Sequence, residues 1–186
     1  MQKVYDTLKK YRELLGVIMF ISIVASVVII FINFFYSPII VVGNSMYPAL
    51  NADDVILVDI IGDDYDEIER FDIIVFPYKY NIKNNVIKRV IGLPGDTVEI
   101  KDDVIYINGK KLSEYYGYYD ASVESEYSDM EPVQLSFDEY FVMGDNRNVS
   151  DDSRSPDIGV LKQDTIIGKA AFRLWPFNSI GSLEYQ

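Results

Sequence analysis

The longest apolar run of the chain lies near its N-terminus, at residues 14–36. The sequence of this run, LLGVIMFISIVASVVIIFINFFY, contains no charged residue, and the polar residues Ser22, Ser26 and Asn33 are scattered rather than gathered on one face. In an α-helix, these 23 residues would extend about 35 Å, which is enough to cross a hydrocarbon core of about 30 Å. The pattern therefore predicts one transmembrane helix over residues 14–36.

Two other interpretations of the apolar run fit its sequence less well. A helix in a soluble core would present a polar face, which is missing here. A cleavable signal peptide would have a shorter apolar region that ends in a small-x-small site, but this run continues into Ser37-Pro38-Ile39-Ile40. We therefore expect an uncleaved anchor that separates residues 1–13 from residues 37–186.

After residue 36, the pattern changes to short runs of β-branched and aromatic residues. Turn signals separate these runs, for example Pro94-Gly95-Asp96 and Asn108-Gly109. The runs predict strands at residues 39–42, 55–60, 72–76, 86–91, 97–100, 104–107, 140–143 and 166–175. The sequence thus predicts an all-β domain of mainly antiparallel, coiled sheets over residues 37–186. Residues 113–136 are rich in Tyr, Ser, Asp and Glu with little alternation, and they predict a small excursion from the sheet.

Composition and charge refine this picture. The chain is 49% hydrophobic and 14% aromatic, which is sufficient for a packed core and too apolar for a disordered chain. Its net charge is −12, composed of +2 over residues 1–13 and −14 over the remainder, so nucleic acid is not expected as a partner. By the positive-inside tendency, residues 1–13 stay in the cytoplasm and residues 37–186 are extracytoplasmic.

The chain contains neither histidine nor cysteine. This excludes Ser-His-Asp triads, thiol peptidases, disulfides and His- or Cys-ligated metals. The acidic clusters at residues 63–69 and 151–152 lack the spacing of a calcium loop, so we interpret them as solvated turns and expect no metal or cofactor. A hydrolase of this composition could still pair a serine hydroxyl with a neutral lysine amine.

Three segments, at residues 43–48, 87–96 and 144–154, contain the candidate chemistry, although each is weak evidence alone. The first, Gly-Asn-Ser-Met-Tyr-Pro, could be an ordinary loop. In the second, Lys88 and Arg89 point to opposite faces of a predicted strand, so one should face inward, unless both reach solvent at a sheet edge. The third starts with Gly-Asp-Asn-Arg, a turn with an acid and a base available to brace it.

Taken together and in this order behind the anchor, the motifs resemble the bacterial type I signal peptidase family in its Ser-Lys form. The resemblance covers nearly the whole chain, and the single span and short insert are similar to the small form of Gram-positive bacteria. It rests on the following motifs: Ser45-Met46-x-Pro48, Arg70-Phe71-Asp72-Ile73-Ile74-Val75-Phe76, Lys88-Arg89-x-x-Gly92-x-Pro94-Gly95-Asp96 and Gly144-Asp145-Asn146-Arg147-x-x-Ser150-x-Asp152-Ser153-Arg154.

The resemblance implies a role for each matching residue. Ser45 is the nucleophile, Lys88 is its general base and Ser150 orients the lysine amine. Some members donate a serine hydroxyl to the oxyanion hole two residues before the nucleophile; this chain has Gly43 there, so the backbone N–H of Ser45 would be the main donor. Four charged residues are implied to brace the site without reacting: Asp145, Arg147, Asp152 and Arg154.

For Lys88 to act as a base, apolar neighbours must disfavour its protonated form. The apolar residues near the dyad in sequence could also form shallow pockets that accept alanine: Val41, Val42, Met46 and Ile87. The implied substrates are secretory preproteins with an Ala-x-Ala-like cleavage site, held in the same lipid bilayer as the enzyme. Two alternatives remain, namely a self-cleaving repressor of the SOS type, which shares the fold and dyad, and an inactive anchored β-module that only binds an exported partner.

Overall fold

The computed structural model describes residues 2–60, 68–79, 81–120, 122–123 and 129–183. The chain forms two compact units, residues 1–37 and 38–186. The first unit is dominated by a helix, α1 (Gln2–Phe35), of 34 residues. Within α1, Lys9–Ile30 has a mean hydropathy of 2.7 and sufficient length to cross a membrane, and none of it is buried. The predicted apolar helix is therefore confirmed, and its exposure disfavours a soluble core helix.

The helix differs from the prediction at both ends. It begins at Gln2 because residues 2–13 are rich in Lys, Leu, Glu and Arg, which are good helix formers, and these add turns ahead of the apolar run. It ends at Phe35, so that Tyr36, which we predicted to be the last helical residue, begins the first strand.

The second unit is built from strands, as predicted. They are β1 (Tyr36–Ile40), β2 (Val55–Ile60), β3 (Ile73–Tyr78), β4 (Asn81–Gly92), β5 (Thr97–Lys101), β6 (Val104–Ile107), β7 (Lys110–Lys111), β8 (Met130–Gln134), β9 (Glu139–Met143), β10 (Leu161–Lys162), β11 (Gly168–Trp175) and β12 (Gly181–Ser182). Short 3-10 helices are at Gln163–Thr165 and Phe177–Ser179.

The strands form two sheets. The larger has eight strands in the order β1-β2-β11-β3-β4-β9-β10, with β12 paired to β11; the smaller has the order β7-β6-β5-β8. The pairings within the set β2, β3, β4, β9, β10 and β11 are antiparallel, and so are those of the smaller sheet. The mainly antiparallel all-β prediction is therefore confirmed.

Both faces of the central strands are covered. Ile73 and Val75 of β3 belong to one buried cluster, while Ile74 and Phe76 belong to another. Since successive residues of a strand point to opposite faces, the larger sheet has apolar packing on each side. Any charged residue on the middle of β4 is consequently buried, whichever face it occupies.

Some predicted elements require correction. The strand expected at residues 39–42 ends at Ile40, because Val41 and Val42 already belong to the bend that leads to Ser45. Within residues 113–136, which we predicted to leave the sheet, Met130–Gln134 forms β8 and pairs with β5 in the smaller sheet. The strands β7, β8, β10 and β12 are too short or too polar to produce an alternating apolar pattern. The acidic residues 63–67 lie outside the described residues.

Candidate active site

The structure brings Ser45 and Lys88 into direct contact although 43 residues separate them in sequence. Ser45 lies in the turn that follows β1, and Lys88 lies in β4 with only 4% of its surface exposed. Lys88 Nζ is 2.7 Å from Ser45 Oγ, which is hydrogen-bond distance. A serine hydroxyl and a lysine amine in such contact can transfer a proton, which is the first requirement of a Ser-Lys dyad.

A tight turn presents Ser45. Gly43 adopts a φ of +80°, a left-handed conformation that a glycine tolerates well. The Tyr47 N–H donates to the Asn44 carbonyl at 3.1 Å, and the Leu50 N–H donates to the Met46 carbonyl at 2.8 Å. The side chains of Met46 and Leu50 are buried in the core. Backbone hydrogen bonds and core packing therefore both fix the position of the turn.

Asn146 holds the same turn from the opposite side. Its backbone N–H donates to the Ser45 carbonyl at 3.0 Å, and its side-chain Nδ2 donates to the Asn44 carbonyl at 3.2 Å. The sequence alone did not indicate a role for Asn146, although the residue lies inside one of the motifs. It connects the loop at residues 144–154 to the backbone on which Ser45 stands.

Burial changes the acid–base properties of Lys88. Desolvation lowers the pKa of Lys88 from 10.5 to about 8, against the opposing effect of the Asp152 and Asp151 carboxylates. Arg154 also lowers it, while Asp145 raises it. Among the described residues, no carboxylate lies within ion-pair distance of the Lys88 amine. A substantial fraction of Lys88 is therefore neutral at mildly alkaline pH.

Ser150 is buried close to the turn that carries Ser45. Its Oγ makes no hydrogen bond of normal geometry within the described part of the chain, so its predicted role in orienting the Lys88 amine stays a prediction. A Cβ at Gly144 would collide with both Ser150 Oγ and the Ser45 carbonyl oxygen. Only glycine therefore fits between Ser45 and Ser150 in this arrangement.

Ion pairs brace the surrounding loop. Arg89 binds Asp145 through two hydrogen bonds of 2.8 and 2.7 Å, and both side chains are buried. Arg154 binds Asp152 at 2.8 Å through Nε, and Asp152 also accepts the Gly144 N–H at 3.0 Å. These contacts with Arg154 and Gly144 outweigh desolvation and lower the pKa of Asp152.

The third pair reaches out to residue 114. Arg147 donates to both carboxylate oxygens of Glu114, at 2.6 and 2.5 Å, and its Nε donates to the Gly144 carbonyl at 3.1 Å. The ring of Tyr116 lies 4.2 Å from the guanidinium carbon of Arg89. Sequence reasoning found Asp145 and Arg147 but missed Arg89 and Glu114 as their partners.

A cavity of about 460 Å³ contains both dyad residues. All four predicted pocket residues line this cavity, and Val42 contributes at the rim because 88% of its surface is exposed. Besides Asn44, which precedes Ser45, six further lining residues were not predicted: Tyr78, Asn85, Val86, Val149, Asp151 and Ile158. The sequence did not indicate that these six residues lie together, because they come from three separate segments.

The cavity opens along a free edge of β4. The strand pairs with β3 from Ile73 to Tyr78 on one side, but its pairing with β9 on the other side begins only at Arg89. Across the described residues, the segment from Asn81 to Lys88 thus has one edge without a strand partner. An extended peptide can add to such an edge with main-chain hydrogen bonds. Within the same described part of the chain, no cluster of His, Cys, Asp or Glu has the arrangement of a metal site.

Comparison with known proteins shows the family of this chain. Residues 14–175 match the family described as "Signal peptidase, peptidase S26". Signal peptidase IB of Staphylococcus aureus (strain Mu50) is 37% identical over 173 residues, covering 85% of this chain and 88% of that protein. Signal peptidase I T of Bacillus subtilis (strain 168) is 37% identical over 153 residues, covering 80% of this chain and 78% of that protein.

A crystal structure of a signal peptidase I from Enterococcus faecalis V583 is 39% identical and covers 55% of this chain and 96% of its own, with a TM-score of 0.44. The family match extends over most of the sequence and includes Ser45, Lys88 and the loop at residues 144–154. This chain belongs to the signal peptidase family, peptidase S26.

Proposed function

We propose that this peptidase removes signal peptides from secretory preproteins, with Ser45 as the nucleophile and Lys88 as the general base. The observation that carries the proposal is the 2.7 Å contact between Ser45 Oγ and the buried amine of Lys88. A buried lysine with a pKa of about 8 can be neutral where an exposed lysine would be protonated.

The proposed reaction has two stages. Neutral Lys88 takes the proton from Ser45 Oγ as the oxygen attacks the scissile carbonyl, and the resulting ammonium returns that proton to the leaving amine. This leaves the signal peptide esterified to Ser45. Lys88, neutral again, then deprotonates a water molecule that attacks the ester. As the ester bond breaks, the Lys88 ammonium returns this proton to Ser45 Oγ, and the signal peptide leaves with a free carboxylate. Ser150 is proposed to orient the amine throughout.

The tetrahedral intermediates require a donor for their oxyanion. We assign this role to the backbone N–H of Ser45, with the bend at Gly43 leaving room for the substrate. A Cβ at Gly43 would meet no atom within 4 Å, so this side of the nucleophile is open. The serine hydroxyl that some family members supply at this position is absent here.

The substrate is proposed to add as a strand along the free edge of β4. Alternate side chains then point into the cavity, so that P1 and P3, the first and third residues before the scissile bond, face the protein together. Val41, Val42, Met46 and Ile87 form the walls of these positions. Because these wall residues leave little space for the P1 and P3 side chains, alanine is favoured over larger side chains. P2 points to solvent and can vary.

The apolar helix α1 is proposed to anchor the enzyme in the cell membrane, with the basic N-terminal residues in the cytoplasm and the β domain outside. The N-terminal residues 1–13 carry a net charge of +2, which favours this orientation. Protease added to intact spheroplasts should attack residues beyond 37 and leave the N-terminus protected; the opposite pattern would reverse the proposed topology.

The dyad is tested by substitution in the full chain in detergent. Ser45→Ala and Lys88→Ala should each lower the cleavage rate of a preprotein by at least ~100-fold, because proton transfer by a positioned base contributes ~10²–10⁴-fold. Lys88→Arg should be equally inactive, since a guanidinium keeps its proton in this pH range. Ser179→Ala and Lys101→Ala, at exposed positions, are matched controls that should retain the wild-type rate.

The outcome also separates the alternatives. A binding module would retain the preprotein uncut, and a self-cleaving protein would cut its own chain in the absence of substrate. Wild-type activity in Lys88→Ala, with an unchanged thermal transition, would remove Lys88 from the mechanism.

The substrate pockets are tested by a peptide series with P1, P2 or P3 varied. We expect Phe or Lys at P1 to lower kcat/KM by roughly 5- to 150-fold, because overpacking a closed pocket costs ~1–3 kcal/mol. Variation at P2 should have little effect. Equal cleavage of Ala and Phe at P1 would contradict the proposed walls.

A further inference from the structure

A second cavity, of about 370 Å³, continues from the cavity that holds the dyad. The two cavities share Tyr78 and Ile158 as lining residues. The second cavity is lined mainly by apolar groups, with the lysines at its exposed rim: Phe76, Pro77, Tyr78, Lys79, Ile158, Val160, Leu161, Lys162 and Thr165. No role in the proposed reaction involves this cavity.

The second cavity lies on the sheet face that carries Lys88. Val86 is two residues before Lys88 on β4 and therefore shares its face, and Phe76 is paired with Val86 across the β3–β4 ladder. Phe76 and Leu161 belong to one buried cluster, against which Val86 and Ile158 pack. The back wall of the second cavity is thus a rigid part of the core rather than a loose loop.

The free edge of β4 leads from the dyad toward this cavity. It runs from Lys88 back to Asn81, and Asn81 is paired with Tyr78, a shared lining residue. Asn85 is likewise paired with Pro77, another lining residue of the second cavity. At ~3.3 Å per residue, the positions three to five residues before Lys88 lie about 10–17 Å from it, so a substrate strand parallel to β4 with P1 at Lys88 would bring its fourth to sixth residues before the scissile bond beside the second cavity.

We propose that the second cavity binds apolar side chains of the signal peptide at the fourth to sixth positions before the scissile bond, P4 to P6. This inference rests on the proposed function, which places P1 and P3 in the cavity beside Ile87. A signal peptide contains an apolar region of about 7–15 residues before its cleavage site, while the mature protein has no such bias. The apolar lining therefore matches the amino-terminal side of the substrate.

The rim adds a charge preference to this site. Lys79 and Lys162 are exposed at the edge of the second cavity. A basic residue at P4 to P6 would meet an apolar wall, which disfavours its charge. The rim lysines add repulsion, which the Asp138 carboxylate, 4.0 Å from Lys162 Nζ, reduces. The cavity therefore selects leucine-like side chains and rejects lysine at these positions.

The test compares two peptides with the same Ala-x-Ala site, one that begins at P3 and one that is extended by leucines at P4 to P6. With the wild-type chain in detergent, we expect the extension to raise kcat/KM by about tenfold. Thr165→Trp, which fills the second cavity, should abolish this gain without changing the rate for the short peptide. Asp164→Trp is the matched control, because Asp164 is an exposed neighbour in the same 3-10 helix that does not line the cavity.

A second variant keeps the inference testable if Thr165→Trp folds poorly. Lys162→Glu should improve cleavage of a peptide with lysine at P4 to P6 and leave the short peptide unaffected. Failure to cut the short peptide at all would reject the proposed function. Normal cutting of the short peptide, with no gain from leucines or with the same gain in Thr165→Trp, would overturn the second site alone. A gain that arises only from residues after the scissile bond would also overturn it.

Discussion

Lys88 and Arg89 are consecutive residues of β4 that experience opposite environments. They are 4% and 5% exposed, on opposite faces of the strand. Arg89 meets the carboxylate of Asp145 with two hydrogen bonds, donates to the Phe71 carbonyl at 2.8 Å and lies 4.2 Å from the Tyr116 ring centre. Lys88 meets a serine hydroxyl at 2.7 Å and, among the described residues, no carboxylate in ion-pair contact.

This difference shows how one strand can hold a structural cation and a candidate base side by side. Burial disfavours both charges. On the Arg89 face, Asp145 compensates the charge and joins the sheet to the loop at residues 144–154. On the Lys88 face, no carboxylate among the described residues forms an ion pair with the buried ammonium, so Lys88 releases its proton more easily. The alternative that both residues reach solvent at a sheet edge is wrong, because both side chains are buried.

The largest expected effect comes from breaking the compensated face. Asp145→Ala leaves Arg89 buried without its carboxylate, and the loss of one partner from a buried pair costs ~3–5 kcal/mol. Lys88→Met removes a buried cation that has no ion-pair partner among the described residues, so we expect an unchanged or higher stability. Thermal and denaturant unfolding of both variants in detergent would measure the difference. Similar losses in the two variants would show that the two faces are not distinct.

A second prediction concerns pH. Since the pKa of Lys88 is about 8 in the folded protein and 10.5 as an ordinary lysine, the rising limb of the kcat/KM profile should lie near pH 8. Between these values, the unfolded chain binds the proton that the folded chain has released, so Lys88 adds stability as the pH rises. That contribution is complete above pH 10.5 and is lost as the pH falls through 8.

The comparison with Lys88→Met isolates this effect. The stability of wild type relative to Lys88→Met should rise between pH 8 and 10.5, because only wild type carries the group that titrates in this range. A rate limb at or above 10.5 would mean that Lys88 is not desolvated in solution.

The smallest expected effect comes from Asp151. This exposed carboxylate lines the cavity of the dyad and raises the pKa of Lys88 by favouring its charged form. Asp151→Asn should therefore move the rate limb to lower pH. An exposed charge contributes ~1 kcal/mol or less, so we expect less than about a fivefold rate increase at neutral pH. Asp157→Asn, which lies on the same loop but does not line the cavity, is the control; a limb that moves to higher pH would contradict the assigned sign.

The sequence predicted the features that depend on neighbouring residues. The apolar run of residues 14–36 predicted the helix, and alternating β-branched runs predicted most strands within a few residues of their observed bounds. The motifs also indicated Ser45 and Lys88 as the candidate dyad. Their catalytic roles stay predictions, but their contact in the structure is the geometry that those roles require.

Other features could not be predicted because they depend on how distant segments meet. Glu114 lies in a stretch where apolar and polar residues do not alternate clearly. Its neighbouring sequence does not indicate that it binds Arg147, 33 residues away. Val41 and Val42 form an apolar pair in sequence, but one is buried and the other is almost fully exposed, because the chain leaves β1 in a bend between them and Ser45. The second cavity likewise combines the end of β3 with residues 158–165.

The sequence by itself determined the apolar helix, the β-rich character of the second unit and the identity of the residues that match the family. These properties follow from composition, local periodicity and motifs, all of which can be recognised within short stretches of the sequence. The tertiary structure decided that, among the described residues, Lys88 is buried without an ion pair while Arg89 is paired with Asp145. It also decided that Asn146 holds the turn of Ser45 and that, within the same part of the chain, one edge of β4 has no strand partner beside the cavity of Lys88. Strand register and loop path set these contacts, and both result from packing over the whole domain, so no short segment of sequence specifies them.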